Sequence, residues 1–171
     1  MAGPQCHTGG GGSNFLCLPE DPQYGPYSQF SPTPASQIFG VQYAELDPAI
    51  STENNGNQTL YNGDAVCAIC CASKGRSTSI MIPARLQCPT GWTKEYSGYL
   101  VAECGNCADN RHRSSYVCLD DAPEVRFGGT AADNNWQWLG GAIYTVPTTC
   151  GIRPCSTYVS GASLTCVVCT Q

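Results

Sequence analysis

The sequence predicts a mainly β fold made of two pseudo-twofold-related, disulfide-stapled β units with long loops and little helix. Three observations carry that expectation. Thirteen cysteines stand among 171 residues, a density that a reducing compartment does not sustain and an oxidising one uses for cross-links. Nineteen glycines and twelve prolines are spread along the chain, so turns are frequent and long helices are not expected. A set of short apolar segments with their cysteines occurs twice, at an offset of about one hundred residues.

Taken in order, the chain opens with a Gly-rich entry, residues 1–13. Asn14-Phe-Leu-Cys-Leu18 is a short strand candidate that stops at Pro19-Glu-Asp-Pro22, because proline removes ladder donors. Residues 23–37 form a Pro/Ser/Tyr-rich surface excursion. Ile38–Leu46 reads as a strand, and Asp47–Asp64 as a polar, turn-rich stretch holding one glycosylation sequon at Asn57. Ala65–Cys71 reads as a buried apolar strand and Ser79–Ile82 as another. Cys88-Pro-Thr-Gly-Trp92 is a turn ahead of a strand at Glu95–Val101. A polar loop follows, with Cys104 and Cys107, and then a strand at Ser115–Leu119. After the acidic turn 120–124, residues 126–141 form a Gly/Asn/Trp loop. Ala142–Val146 is a strand, Cys150–Cys155 a tight loop, and Ser163–Cys169 the last strand. No amphipathic helical pattern runs beyond about two turns.

The repeat divides the chain at residues 84 and 85 into two units that together form one compact domain. Asn14-Phe-Leu-Cys-Leu-Pro-Glu-Asp-Pro matches Ser115-Tyr-Val-Cys-Leu-Asp-Asp-Ala-Pro. Cys6 matches Cys107, and Val66-Cys-Ala-Ile-Cys-Cys matches Thr165-Cys-Val-Val-Cys-Thr. The Cys-Pro-x-Gly opening of the second unit has no partner in the first. Unit one is therefore expected to lack its first strand and to present an unpaired edge or groove.

The segments HTGGGGSNFLCLPEDPQY, VCAIC, MIPARLQCPTGW, YSGYL and LTCVVC carry a resemblance. On them the chain resembles the C-terminal domains of invertebrate short-chain, spongin-like collagens and related secreted proteins. More distantly it is similar to the noncollagenous domain of type IV collagen, two copies of a unit opening with Cys-Pro-x-Gly and closing with Cys-x-x-Cys. It departs from a collagen in having no Gly-X-Y run. The type IV likeness implies a pairing rule: first cysteine to last, second to next-to-last, and a small loop in the middle. In unit two that gives Cys88–Cys169, Cys118–Cys166 and Cys150–Cys155, and in unit one Cys17–Cys67, with Cys70 expected to join an opening cysteine that the sequence does not show. Cys166 and Cys169 are three apart, so on a strand they face opposite sides and each needs its own partner. Cys104 and Cys107 are assigned to each other. Cys6, Cys70 and Cys71 remain, with Cys6 joined to Cys70 or Cys71 and the odd thiol free or intermolecular.

Charge and motifs exclude several functions. Only 12% of residues are charged, about half the usual share, and the net charge is -5 with no basic run. Nucleic acid and anionic membrane are not expected partners, and no apolar run reaches the ~20 residues of a membrane span. MAGPQCHTGGGG lacks the regions of a secretory leader, so the chain is expected to be a mature fragment or an incomplete gene product, and export is read from the cysteines. Zinc needs two Cys-x-x-Cys pairs that converge, but Cys67/Cys70 and Cys166/Cys169 lie far apart in sequence and only two histidines are present. The acidic turns Glu20-Asp21 and Asp120-Asp121 are weighed as calcium ligands. They lack the alternating pattern of a dedicated loop, so turn capping is their expected role and no cofactor is assigned. No GxSxG, HExxH or phosphate loop occurs, and the chain is not expected to be an enzyme.

Tyr24, Tyr27 and Phe30 in one loop and Trp136 and Trp138 in another are the candidate partner contacts. The expected function is a secreted structural protein that self-associates into matrix, fibre or adhesive, by strand addition or by a Cys6 disulfide. The alternative is a soluble extracellular module that binds carbohydrate or serves immune recognition.

Overall fold

The computed structural model describes residues 1–3, 14–26, 38–44, 46–52, 60–61, 63–73, 75–103, 114–126, 141–150 and 157–171. The fold is mainly β. Its strands are β1 (Ala2–Gly3), β2 (Phe39–Tyr43), β3 (Ser79–Pro83), β4 (Thr93–Glu103), β5 (Val117–Asp120), β6 (Gly141–Thr145) and β7 (Thr165–Thr170). They form one open sheet in the order β1-β2-β6-β4-β7-β3, with β5 paired to β4 off that path.

Strand β4 organises this sheet. Its eleven residues are too many for one neighbour, and it serves three. Residues Thr93–Tyr99 pair antiparallel with β7, and Val101–Glu103 pair antiparallel with β6. Leu100 is the changeover, donating its N–H to the Leu164 carbonyl at 2.8 Å and accepting from the Val146 N–H at 3.0 Å. Strand β5 pairs with Gly98–Val101 of β4. The second Cys-x-x-Cys element thus lies inside the sheet, with β3 on one edge of β7 and β4 on the other. Its two cysteines, Cys166 and Cys169, are fully buried.

The other end of the sheet has a symmetric pattern. β2 and β6 pair parallel through Val41↔Gly141, Gln42↔Ala142 and Tyr43↔Ile143. On the far side of β6 lies the end of β4, antiparallel. On the far side of β2 lies β1, also antiparallel, through Ala2↔Gly40 and Gly3↔Phe39. The Met1 amine donates to the Ala65 carbonyl at 2.9 Å, in the same relation that Leu100 bears to Leu164. β1 therefore stands towards β2 as the end of β4 stands towards β6.

The core is shared by both halves of the chain: Val41, Tyr43, Ile50, Leu60 and Ala65 pack with Val101, Leu119 and Ile143. Removing these apolar groups from water is the main force holding the sheet ends together. Polar ties cross the same boundary, among them the Ser163 hydroxyl, which donates to Asp47 Oδ2 at 2.6 Å.

Several expectations need correction. Ala65–Cys71 is not a buried strand: the chain pairs only at Asp64 and Ala65, then leaves the sheet. Residues 63–65 do lie along β2, with Tyr43 N–H donating to Gly63 and Ala65 N–H to Val41. The next positions on that edge, opposite Gly40 and Phe39, are taken by β1, so Val66 and its successors are displaced into solvent. Asn14–Leu18 holds only a one-residue bridge at Leu16 rather than a strand. β3 is a strand, but Ser79, Met81 and Pro83 are exposed, as suits an edge. The stretch after Asp47 contains a short helix, α1 (Pro48–Thr52), read from the sequence as turn. Asp47 caps it by accepting the Ala49 N–H at 3.0 Å, and Pro48 fits the first helical turn, where no N–H partner exists.

Candidate functional site

Three disulfides join described residues: Cys17–Cys67, Cys88–Cys169 and Cys118–Cys166, with Cα–Cα distances of 5.7, 5.9 and 5.7 Å. Cys150 is also disulfide-bonded, and its expected partner Cys155 lies outside the described residues. So do Cys6, Cys104, Cys107, Asn57, Tyr27, Phe30, Trp136 and Trp138. Tyr24 is described and is 77% exposed. Cys70 and Cys71 are exposed and carry no disulfide.

The two Cys-x-x-Cys elements can be set side by side. In the second, Cys166 is bonded to Cys118 of β5 and Cys169 to Cys88, which leads into β4. In the first, Cys67 is bonded to Cys17, the counterpart of Cys118, but Cys70, the counterpart of Cys169, is unbonded. Between β5 and β7 runs β4. Between the corresponding segments of the first half lies a cleft of about 590 Å³, lined by Leu18 on one side, by Val66 and Cys67 on the other, and with Met1 at the wall. Glu20, Ala65, Pro123, Glu124, Val125 and Arg126 complete it.

The two segments that meet at the cleft also expose apolar side chains, Leu18 and Val66 in its lining and Leu16 and Ile69 beyond it. Leu16 is 48% exposed, Leu18 54%, Val66 43% and Ile69 80%. Their second-half counterparts differ: Leu119 is buried, and Val117 and Val168 are partly buried.

The polar features near the site hold structure. Tyr43 is buried and donates its hydroxyl to the Glu124 carbonyl at 2.9 Å, at the back of the cleft. Burial raises its pKa from 10.0 to about 12, against a lowering by the Val66 backbone hydrogen bond, while the charge of Glu124 adds to the rise. Tyr96 on β4 donates to the Cys118 carbonyl at 3.1 Å, and its pKa is raised by burial, by Asp120 and by Cys70. Arg76, on the segment joining Cys71 to β3, donates to Thr170 at 2.7 Å and to Glu95 at 2.8 Å. That clamp anchors the linker to the ends of β4 and β7. Sequence reading missed it, since nothing local marks Arg76, Glu95 and Thr170 as neighbours.

Among the described residues no group of three His, Cys, Asp or Glu side chains is placed to hold a metal ion. The acidic turn of unit two caps itself, Asp120 Oδ1 accepting the Ala122 N–H at 2.9 Å. Among the described residues no helix is long and apolar enough to cross a membrane. No family model, no curated protein and no solved structure matches the chain.

Proposed function

We propose that this is a secreted structural protein of extracellular material, related in kind to the C-terminal domains of short-chain collagens, that associates with copies of itself into matrix, fibre or adhesive. The observation that carries the reading is the uneven state of the two Cys-x-x-Cys elements. One is stapled and buried; the other ends in two unbonded, exposed cysteines beside exposed Leu16, Leu18, Val66 and Ile69. An oxidising compartment supports both the existing bonds and new ones between molecules. Apolar segments exposed next to reactive thiols favour contacts that a disulfide then makes permanent.

Non-reducing gels of the oxidised protein, with Cys6→Ser, Cys70→Ser and Cys71→Ser variants beside the parent, test this directly. Ladders of covalent oligomers that lose a rung-forming bond in one variant are expected. A single monomeric band in every lane contradicts it. A second reading, a soluble binding module, is favoured by the 77% exposure of Tyr24 in its Pro-rich loop. A glycan array probed with and without chelator separates the two, because a structural subunit gives no discrete glycan signal.

A further inference from the structure

We infer that Cys70 and Cys71 are a docking site for the same pair on a second copy of the chain, and that two crossed disulfides about a twofold axis join the copies into a closed covalent dimer. This rests on the self-association reading and deepens it, because it names the contact, the partner and the number of bonds.

The pair is presented for such a contact. Ahead of it, Cys67 is held by its bond to Cys17. Beyond it, Arg76 is clamped to Thr170 and Glu95, and the N–H groups of Ser77 and Thr78 donate to the Gln171 carbonyl at 3.2 and 3.1 Å. Between those anchors, residues 67–73 belong to no strand or helix. The stretch is therefore held at both ends but lies outside the sheet, with Ile69 80% exposed and both thiols exposed.

The two thiols do not suit each other. Adjacent Cα atoms stand about 3.8 Å apart across a trans peptide, whereas disulfides usually span about 4.4–6.8 Å. The described bonds of this chain keep the wider spacing, with Cα–Cα distances of 5.7, 5.9 and 5.7 Å. A ring closed between neighbours would be compressed and easily reduced. Every other described cysteine is already disulfide-bonded. In an oxidising compartment the pair therefore takes its partners from another molecule.

A second copy satisfies both thiols at once, since it carries a pair of the same spacing. A twofold axis sets the same patch on each side, so a bond from Cys70 of one copy to Cys71 of the other is repeated by symmetry. Bonds joining like to like would have to be satisfied separately at each cysteine; crossed bonds need one geometry. Residues 65–73 carry no charged side chain, so the copies meet there without like-charge repulsion. Once the first bond forms, the second closes as an intramolecular step.

Each bond forms in two exchanges, with glutathione disulfide as the oxidant. The Cys70 thiolate attacks it, forming a Cys70–glutathione disulfide and releasing one glutathione. The Cys71 thiolate of the other copy then attacks the Cys70 sulfur, and the second glutathione leaves with the electron pair. The protons lost by the two cysteines go to the two glutathiones. Each bond thus consumes one glutathione disulfide and yields two glutathiones.

The test incubates the full chain with glutathione and its disulfide, and reads intact mass and unreduced peptide maps. The parent should give a dimer lighter, by two hydrogens per bond, than two chains with free Cys70 and Cys71, and both bonds should map to that pair. Cys70→Ser alone and Cys71→Ser alone should give little covalent dimer. Mixing the two variants should raise the yield at least about tenfold, because only the mixture sets Cys71 opposite Cys70. That singly bonded dimer should be reduced at a lower glutathione concentration than the parent dimer. Alkylating both thiols in the folded parent should prevent the dimer, a check that does not depend on how the serine variants fold. A monomer lighter by two hydrogens, bonds from the pair to Cys6, Cys104 or Cys107, or single variants that dimerise alone as readily as in the mixture would overturn the inference. Larger oligomers made without these bonds would overturn it and leave self-association standing. A dimer linked at Cys70 and Cys71 that grows no further would support it and end the matrix reading.

Discussion

Gly98 of β4 and Leu119 of β5 are packed so closely that a Cβ at Gly98 would lie 1.9 Å from the Leu119 carbonyl oxygen and 2.8 Å from the Asp120 carbonyl carbon. Both obstacles are backbone, so neither can swing aside. β5 reaches β7 across β4 only because this residue has no side chain, and the Cys118–Cys166 bond depends on that approach. Gly98→Ala should cost about 3 kcal/mol or more, beyond ordinary overpacking. Thermal unfolding checks it, with a disulfide map to show whether Cys118 and Cys166 still pair.

The cysteines should divide into two energetic classes. The Cys118–Cys166 bond spans a sequence separation of 48, and in the chain-entropy model a loop of that size contributes about 4 kcal/mol. Replacing both cysteines by serine should lower stability by about that amount. Cys70→Ser and Cys71→Ser, at exposed and unbonded positions, should change it by no more than ~0.5 kcal/mol. Urea unfolding of the oxidised proteins measures both.

Alkali should weaken the fold through Tyr43. Its pKa is raised to about 12 in the folded chain, from 10.0, chiefly by burial. Above pH 10 the unfolded chain loses the Tyr43 proton while the folded chain keeps it. The contribution is thus fully present below pH 10 and is lost as pH rises to about 12, a change on the order of 2–3 kcal/mol. Tyr43→Phe should flatten that part of the stability profile while removing the hydrogen bond to Glu124. Unfolding midpoints between pH 9 and 12 check the sign. A profile that rises over that interval would be incompatible with a buried, protonated Tyr43.

Ala84 closes the turn after β3 with φ of 59°, the one non-glycine residue at positive φ among those described. Its N–H donates to the Thr165 carbonyl at 2.8 Å, which holds the turn in place. The left-handed conformation costs a residue with a Cβ roughly 1–2 kcal/mol. Glycine removes that strain but loses more entropy on folding. Ala84→Gly should therefore stabilise by about 0.5–1 kcal/mol, a small rise in melting temperature.

What the sequence disclosed, and what it hid, has a physical pattern. Strands β2, β4, β6 and β7 carry their own β-branched and aromatic residues, and each was legible to within a few positions. The helix α1 escaped notice although its signal was present, Asp47 as cap and Pro48 at the first position. The state of Val66–Cys71 was not legible. Its apolar pattern matches that of β7, but a strand is buried by its neighbours, and β7 has β3 and β4 where Val66–Cys71 has none among the described residues. The need for Gly98 was hidden for a like reason, since it arises from a strand some twenty residues away. At the site, the repeat marked Cys6, Cys70 and Cys71 as left over, and the pairing rule singled out Cys70 as the one without an opening cysteine to join; Cys70 and Cys71 are both unbonded.

The same comparison sets a local expectation. Backbone amides of residues 66–71 should exchange with solvent quickly, and those of residues 165–170 only through global unfolding. Equal protection of the two segments would mean that the first is already covered.

The most direct measurement of the proposed role is sedimentation equilibrium of the unreduced protein over a rising concentration series. A self-associating structural subunit should show a mass that climbs well above the 18.1 kDa of one chain. It should fall back towards that value with Cys70→Ser and Cys71→Ser combined. A single species of 18.1 kDa at every concentration would contradict it.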